Sequence, residues 1–117
     1  MHTLRIAEAF SGHRFTETYD HLAADVRWVL AGQVSSEGRD GVIEACRASA
    51  AELAKLESVE FSRFVSVGGD RVAAVDAIGR YVSVDGSVSV VSSADIYEFD
   101  GEGQVTTITS YAVELDT

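Results

Sequence analysis

The sequence predicts an α+β domain: a long, curved antiparallel sheet wrapped over helices near the N-terminus. Two observations carry this. Helical periodicity is confined to the first half of the chain, and the second half is a run of strand-like segments separated by tight-turn signals. Composition sets the scale. The 117 residues, 46% of them hydrophobic, fit a single domain (residues 1–117) with its own core. No internal repeat, linker or low-complexity stretch divides it.

Thr3 to about Ala23 reads as helical, with Leu4, Ala7, Phe10, Phe15, Tyr19 and Leu22 recurring at helical spacing. Ser11-Gly12-His13 interrupts the pattern, so two helices or a kink are expected there. Asp25 to Leu30 is a short strand with Val26, Trp28 and Leu30 on one face. Gly32 to Arg39 is a polar loop. Asp40 then serves as helix N-cap for Val42 to Leu56, whose apolar stripe is Ile43, Cys46, Ala50, Leu53 and Ala54.

Four strands follow: Val59–Val67, Arg71–Val84, Ser87–Phe99 and Gln104–Leu115. Gly68-Gly69-Asp70, the two-residue hairpin signal Asp85-Gly86, and Asp100 to Gly103 are the turns between them. Sequential strands with short turns make an antiparallel meander.

Charge and composition narrow the function. A net charge of −10 disfavours nucleic acid and anionic membranes, which select clustered Lys and Arg. No apolar run approaches the roughly 18 residues that span a bilayer. The first residues lack the basic-then-apolar pattern of a signal peptide, so a cytoplasmic location is expected. The single cysteine, Cys46, reads as a small buried hydrophobe. His2, His13 and His21 have no metal-ligand spacing with a fourth donor, and read as solvent-exposed or capping residues. No cofactor is expected.

The stretch Ser92 to Gly103 is the most informative. Ser93, Asp95, Tyr97 and Phe99 share one strand face, opposite Ile96 and Glu98. A carboxyl group among aromatic neighbours is costly to ionise and tends to hold its proton. Asp95 is therefore either a carboxylate satisfied by a neighbouring hydroxyl or arginine, or a functional group. On the preceding long strand, Val72, Ala74, Asp76, Ile78, Arg80 and Val82 share one face, and Ala73, Val75, Ala77, Gly79 and Tyr81 the other. Both are largely apolar, so the alternation leaves open which points inward. With the first inward, Asp76 and Arg80 reach the interior, where they could fix a polar substrate group. Outside, they make a structural or interface ion pair.

Asp95-Ile96-Tyr97-Glu98-Phe99-Asp100, then Gly103-Gln104-Val105, then Ser110-Tyr111, resembles the end of a nuclear transport factor 2-like domain. Gly38-Arg39-Asp40-Gly41-Val42 resembles the start of that superfamily's long helix. The superfamily includes ketosteroid isomerases, limonene epoxide hydrolases, scytalone dehydratases and SnoaL-type polyketide cyclases. The resemblance implies a cone-shaped fold with a cavity for a small apolar or polycyclic ligand, and a homodimer formed through the outer sheet face, where Tyr111 and Val113 point. It implies that Trp28, Leu30, Tyr97 and Phe99 shape the cavity and that Ile108, Ser110 and Ala112 face it.

The resemblance also sorts the activities. Asp95 falls where ketosteroid isomerases keep a protonated aspartic acid that donates to an oxyanion. Their general base would fall at Leu30 and their oxyanion tyrosine near Ile6, neither of which can do that work. The limonene epoxide hydrolase Asp–Arg–Asp set would keep Asp76 but fall near Ala74 and Ser110 for its partners. The His–Asp pair of scytalone dehydratase has no counterpart histidine in the strands. SnoaL-type cyclases need an inward carboxylate and an apolar pocket, and Asp95 fits that. The expectation is an isomerase- or cyclase-type protein using Asp95 as acid or oxyanion donor, or else a non-catalytic ligand-binding or structural dimer.

Overall fold

The computed structural model describes residues 2–115. Helix α1 (Thr3–Ser11) is followed by a 3₁₀ segment at Phe15–His21 and strand β1 (Leu22–Leu30). Strand β2 (Ser35–Glu37), helix α2 (Gly38–Ala54) and strands β3 (Leu56–Gly68), β4 (Val72–Ser83), β5 (Val88–Phe99) and β6 (Val105–Leu115) complete the chain. One six-stranded sheet runs in the order β2-β1-β6-β5-β4-β3. The meander β3 to β6 is antiparallel throughout. The exception to the expected antiparallel sheet is β1, which pairs parallel to β6. The α+β class and the helices laid against one sheet are as the sequence indicated.

The N-terminal half differs from the sequence expectation in detail. The second helical stretch is a 3₁₀ segment that ends at His21, because Leu22 already pairs with Val105. Part of the polar loop is β2, held to β1 through the Arg27–Glu37 pair at 2.9 Å. Helix α2 begins at Gly38, whose φ of 77° lies in the left-handed region that glycine tolerates. Asp40 therefore sits inside the first turn instead of capping it. Arg39 ties this start to β1 by donating from Nε and Nη2 to the Leu22 carbonyl, at 2.9 and 2.7 Å.

The hairpin at Asp85-Gly86 has three loop residues, not two. Gly86 N donates to Ser83 O, and Ser83 N to Ser87 O, with Gly86 at φ 87°. That is a type I turn closed by a glycine bulge. The Asp100 turn repeats it, with Gly103 at φ 78° and the Asp100 carboxylate accepting from Glu102 N and Gln104 N.

The core lies between α1 and the inner sheet face. Ile6 and Phe10 of α1, Val26 of β1, Val75 of β4, Tyr97 of β5 and Val105 and Ile108 of β6 are all buried. The inner face of β4 is the one that carries Ala73, Val75, Ala77 and Gly79. These small residues let α1 approach, and the bulkier Asp76/Arg80 face is turned to solvent. Asp76 and Arg80 are exposed, and Asp76 Oδ2 accepts from Arg63 Nε on β3 at 2.9 Å. This exposed pair contributes at most about 1 kcal/mol.

Candidate active site

A cavity exists because α1 is shorter than the strands it covers. Nine helical residues span about 14 Å, whereas the twelve residues of β5 span about 40 Å. Side chains on one face of β5 therefore pass from core to open space. Phe99 and Tyr97 are buried under α1, Asp95 lies level with the helix end at Ser11, and Ser93 and Val91 lie beyond it. Neighbouring strands stay in register, so Val75, Asp95 and Ser110 form one row, and Ala77, Ser93 and Ala112 the next. The far side is bordered by Ala48, Ser49, Glu52 and Leu53 in the second half of α2. Ala50 and Ala54, expected in its apolar stripe, are exposed there.

The cavity has a volume of about 500 Å³. Of the residues the sequence assigned to it, Trp28, Leu30, Asp95, Ser110 and Ala112 line it. Tyr97, Phe99 and Ile108 share the correct face but lie in the core beneath, because α1 covers that part of the sheet. Asp76 and Arg80 are on the opposite face. Tyr111 is half-exposed at the rim. Residues that the sequence did not assign to the cavity add to its walls, among them Phe10, His13, Phe15 and Phe61. Phe10 meets Phe15 and Trp28 edge-on, with centroids 5.1 and 5.0 Å apart, and Trp28 Nε1 donates to Ser110 Oγ at 2.9 Å.

The floor is a hydrogen-bonded chain of three side chains. Ser11 Oγ donates to Asp95 Oδ2 at 2.7 Å and also meets the Tyr97 hydroxyl at 2.5 Å. Serine has one hydroxyl hydrogen. With that hydrogen given to Asp95, the Tyr97 hydroxyl must donate to Ser11. Tyr97 is fully buried, and burial, followed by the Asp95 charge, pushes its phenol well above the ordinary value, so it stays protonated as this chain requires. Asp95 takes part in no ion pair among the described residues, and its Oδ1 accepts no hydrogen bond there.

His13, which the sequence reads as solvent-exposed or capping, does sit at the helix end, but it also lines the cavity. It follows the α1 C-cap, Gly12, and adopts φ 67°. His13 N donates to Phe10 O and Arg14 N to Ala9 O, the paired bonds of a Schellman motif. The residue at that left-handed position is usually glycine. A side chain there costs roughly 1–2 kcal/mol. The imidazole is held among Phe15, Phe61 and Tyr81, with ring centroids 5.9, 5.6 and 6.0 Å away. Burial lowers its pKa, and the Asp95 charge opposes that only in part, so the ring is neutral at physiological pH. The one sequence signal was a histidine where a helix-ending glycine is usual.

Tyr81 also reaches the cavity. Its ring lies against Gly79, where an added Cβ would come within 2.8 Å of a ring carbon. Burial and then the Asp95 charge raise its phenol pKa, so it too keeps its proton. Cys46 is buried behind the site, and burial pushes its thiol up to about 12, which removes it as a nucleophile. Among the described residues no cluster of three or more His, Cys, Asp or Glu is arranged to hold a metal ion.

No family model matches the chain, and no curated protein does. Solved structures do. A nuclear transport factor 2-like protein of unknown function from Cytophaga hutchinsonii is 25% identical, covers 93% of this chain and 94% of its own, and superposes with a TM-score of 0.79. A proposed isomerase of the SnoaL-like family from Agrobacterium tumefaciens is 17% identical, with 94% and 96% covered and a TM-score of 0.69. A proposed polyketide cyclase from Xanthomonas campestris is 18% identical, with 91% and 83% covered and a TM-score of 0.67. By fold the chain is thus similar to these proteins, and the likeness identifies its fold as the nuclear transport factor 2-like one.

Proposed function

We propose that this protein is an isomerase- or cyclase-type enzyme that binds a small, largely apolar or polycyclic ligand and moves a proton with Asp95. One observation carries the reading: a carboxylate outside any ion pair among the described residues sits on the floor of a cavity whose walls include the rings of Phe10, Phe15, Trp28 and Phe61. Carboxylates in such settings are the usual proton carriers of enzymes that act on apolar substrates. The structural neighbours described as an isomerase and a polyketide cyclase support the class of reaction and not its substrate. A non-catalytic domain filled by its own side chains is the poorer reading, because about 500 Å³ of the interior is left open.

The rest of the proposal concerns partners. The exposed outer sheet face carries Val65, Val67, Tyr111 and Val113, and a second copy of the chain is the partner we assign to it. The net charge of −10 argues against nucleic acid and anionic membranes. No helix among the described residues is long and apolar enough to cross a membrane.

Binding of a panel of polycyclic phenols, followed by Trp28 fluorescence across pH, tests the reading. The wild type should bind with a pH dependence that Asp95→Asn loses, and Asp95→Asn should abolish turnover in a protein that still folds. Absence of binding to every member of the panel, with Asp95→Asn merely less stable, would make Asp95 a structural residue.

A further inference from the structure

We propose that the wedge between α2 and β3 is a second binding chamber beside the cavity, and that it takes an unbranched apolar chain carried by a ligand whose ring system occupies the cavity. The proposal rests on the reading of the cavity as a ligand site, and adds to it a second place and a class of substituent.

The path of the chain is the first argument. Helix α2 ends at Ala54 and β3 begins at Leu56, so Lys55 alone joins them and the two elements diverge from one corner. Ala50 and Ala54 lie about one turn apart on the helix, and Val59 and Phe61 lie two residues apart on the strand, so each pair shares a face of its element. All four border a space of about 400 Å³. Large side chains at positions 50 and 54 would fill such a wedge. Alanine at both leaves it open, and both alanines are exposed.

Continuity with the cavity is the second. His13, Leu53 and Phe61 border both spaces and form the partition between them. Phe61 is the part of that partition best placed to turn aside. It lies on β3, an edge of the sheet, and is 36% exposed. Its register partner, Gly79, has no side chain, and the pairing of β3 with β4 shifts between Phe61 and Arg63. A bulge of this kind loosens the ladder locally. Ring contacts with His13 and Phe64, at 5.6 and 5.2 Å between centroids, hold Phe61 where it stands.

The chemistry of the lining sets the occupant. The residues that border the second space include no Asp, Glu, Lys or Arg, and His13 supplies its one polar side chain. A charged substituent finds no partner there, whereas an apolar one leaves water at no polar cost. Asp95 and Ser110 line the cavity and not the chamber, so the polar end of a ligand and its apolar chain are sorted to opposite sides of the partition. A neck bounded by two touching rings and a leucine admits a string of methylenes far more easily than a fused ring system. The ring system therefore belongs in the cavity, and the chain in the chamber.

The test uses 2-naphthol and its 6-alkyl derivatives, from methyl to octyl, with binding measured by titration calorimetry. Wild-type affinity should rise about threefold with each added methylene. Ala50→Phe fills the chamber from its helix side, at a residue that does not line the cavity. It should leave 2-naphthol binding unchanged and weaken binding of the octyl derivative about tenfold. Ala54→Phe should do the same, which keeps the test decisive should one variant fail to fold, and melting curves establish folding. A gain with chain length that the variants retain would place the chain elsewhere and overturn the proposal while leaving the cavity reading intact. Absence of any gain with chain length would overturn it in the same way. Failure of 2-naphthol and all its derivatives to bind the wild type would overturn both.

Discussion

Replacing Ser11 by alanine removes one hydroxyl and strands two groups. The Tyr97 hydroxyl is fully buried and loses its acceptor, an unsatisfied polar group worth about 1–3 kcal/mol. Asp95 also loses a donor, but it borders the cavity, where water can replace the bond. A total of about 2 kcal/mol is the expected loss. For a chain of 117 residues the entropy of unfolding is about 0.25 kcal/mol/K, so Tm should fall by about 8 °C. Removing the stranded group restores stability. The double variant Ser11→Ala/Tyr97→Phe should unfold at a higher temperature and a higher urea midpoint than Ser11→Ala alone. Tyr97→Phe by itself should lose about 1 kcal/mol, since Ser11 still donates to Asp95. Thermal and urea unfolding of the four proteins close the cycle. A double variant no more stable than Ser11→Ala would refute the donor order Tyr97 to Ser11 to Asp95.

Three further outcomes follow from the same geometry. His13 binds its proton less readily in the folded protein than in the unfolded chain, where its pKa is about 6.5, so the stability tied to it is complete above that pH and is lost as pH falls through the lower folded value. Urea midpoints measured against pH should fall less steeply for His13→Gly than for wild type over that window, and parallel curves would count against a buried neutral imidazole. Gly79→Ala places a methyl group 2.8 Å from the Tyr81 ring, which should cost about 1–3 kcal/mol and weaken probe binding; unchanged melting and binding would show that the ring is free to move. Cys46, with its thiol pushed up to about 12, should resist a thiol-specific chromogenic reagent at neutral pH in the native protein and react when urea unfolds it.

The fold was legible where structure is local. The four long strands, their turns and α2 follow from alternation, helical spacing and glycine placement. The parallel pairing of β1 with β6 has no local signal, since Trp28 and its register partner Ile108 are eighty residues apart in sequence. The three residues of β2 are polar and are a strand only because β1 lies beside them. The site was half legible. Asp95 and its strand face could be read from alternation, but alternation cannot say how far α1 reaches, and that length decides that Tyr97 and Phe99 are core while Ser93 borders the cavity. Asp76 and Arg80 failed for a related reason: both faces of β4 are apolar enough to be buried, and the small side chains of the other face fit under the helix. His13 was hidden because a residue after a helix-ending glycine has no periodicity to place it.

The rows of inward side chains on β4, β5 and β6 divide two duties along a single direction. Residues under α1, such as Tyr97 and Ile108, keep the molecule folded, and those past Ser11, such as Ser93 and Ala112, meet whatever enters. Under the function proposed above, substitutions in the second set change ligand preference while leaving the first untouched, so new specificities can be explored by descendants of this chain at little risk to their ability to fold. Lengthening α1 by one turn would do the opposite, turning cavity-facing positions into core and trading open space for robustness.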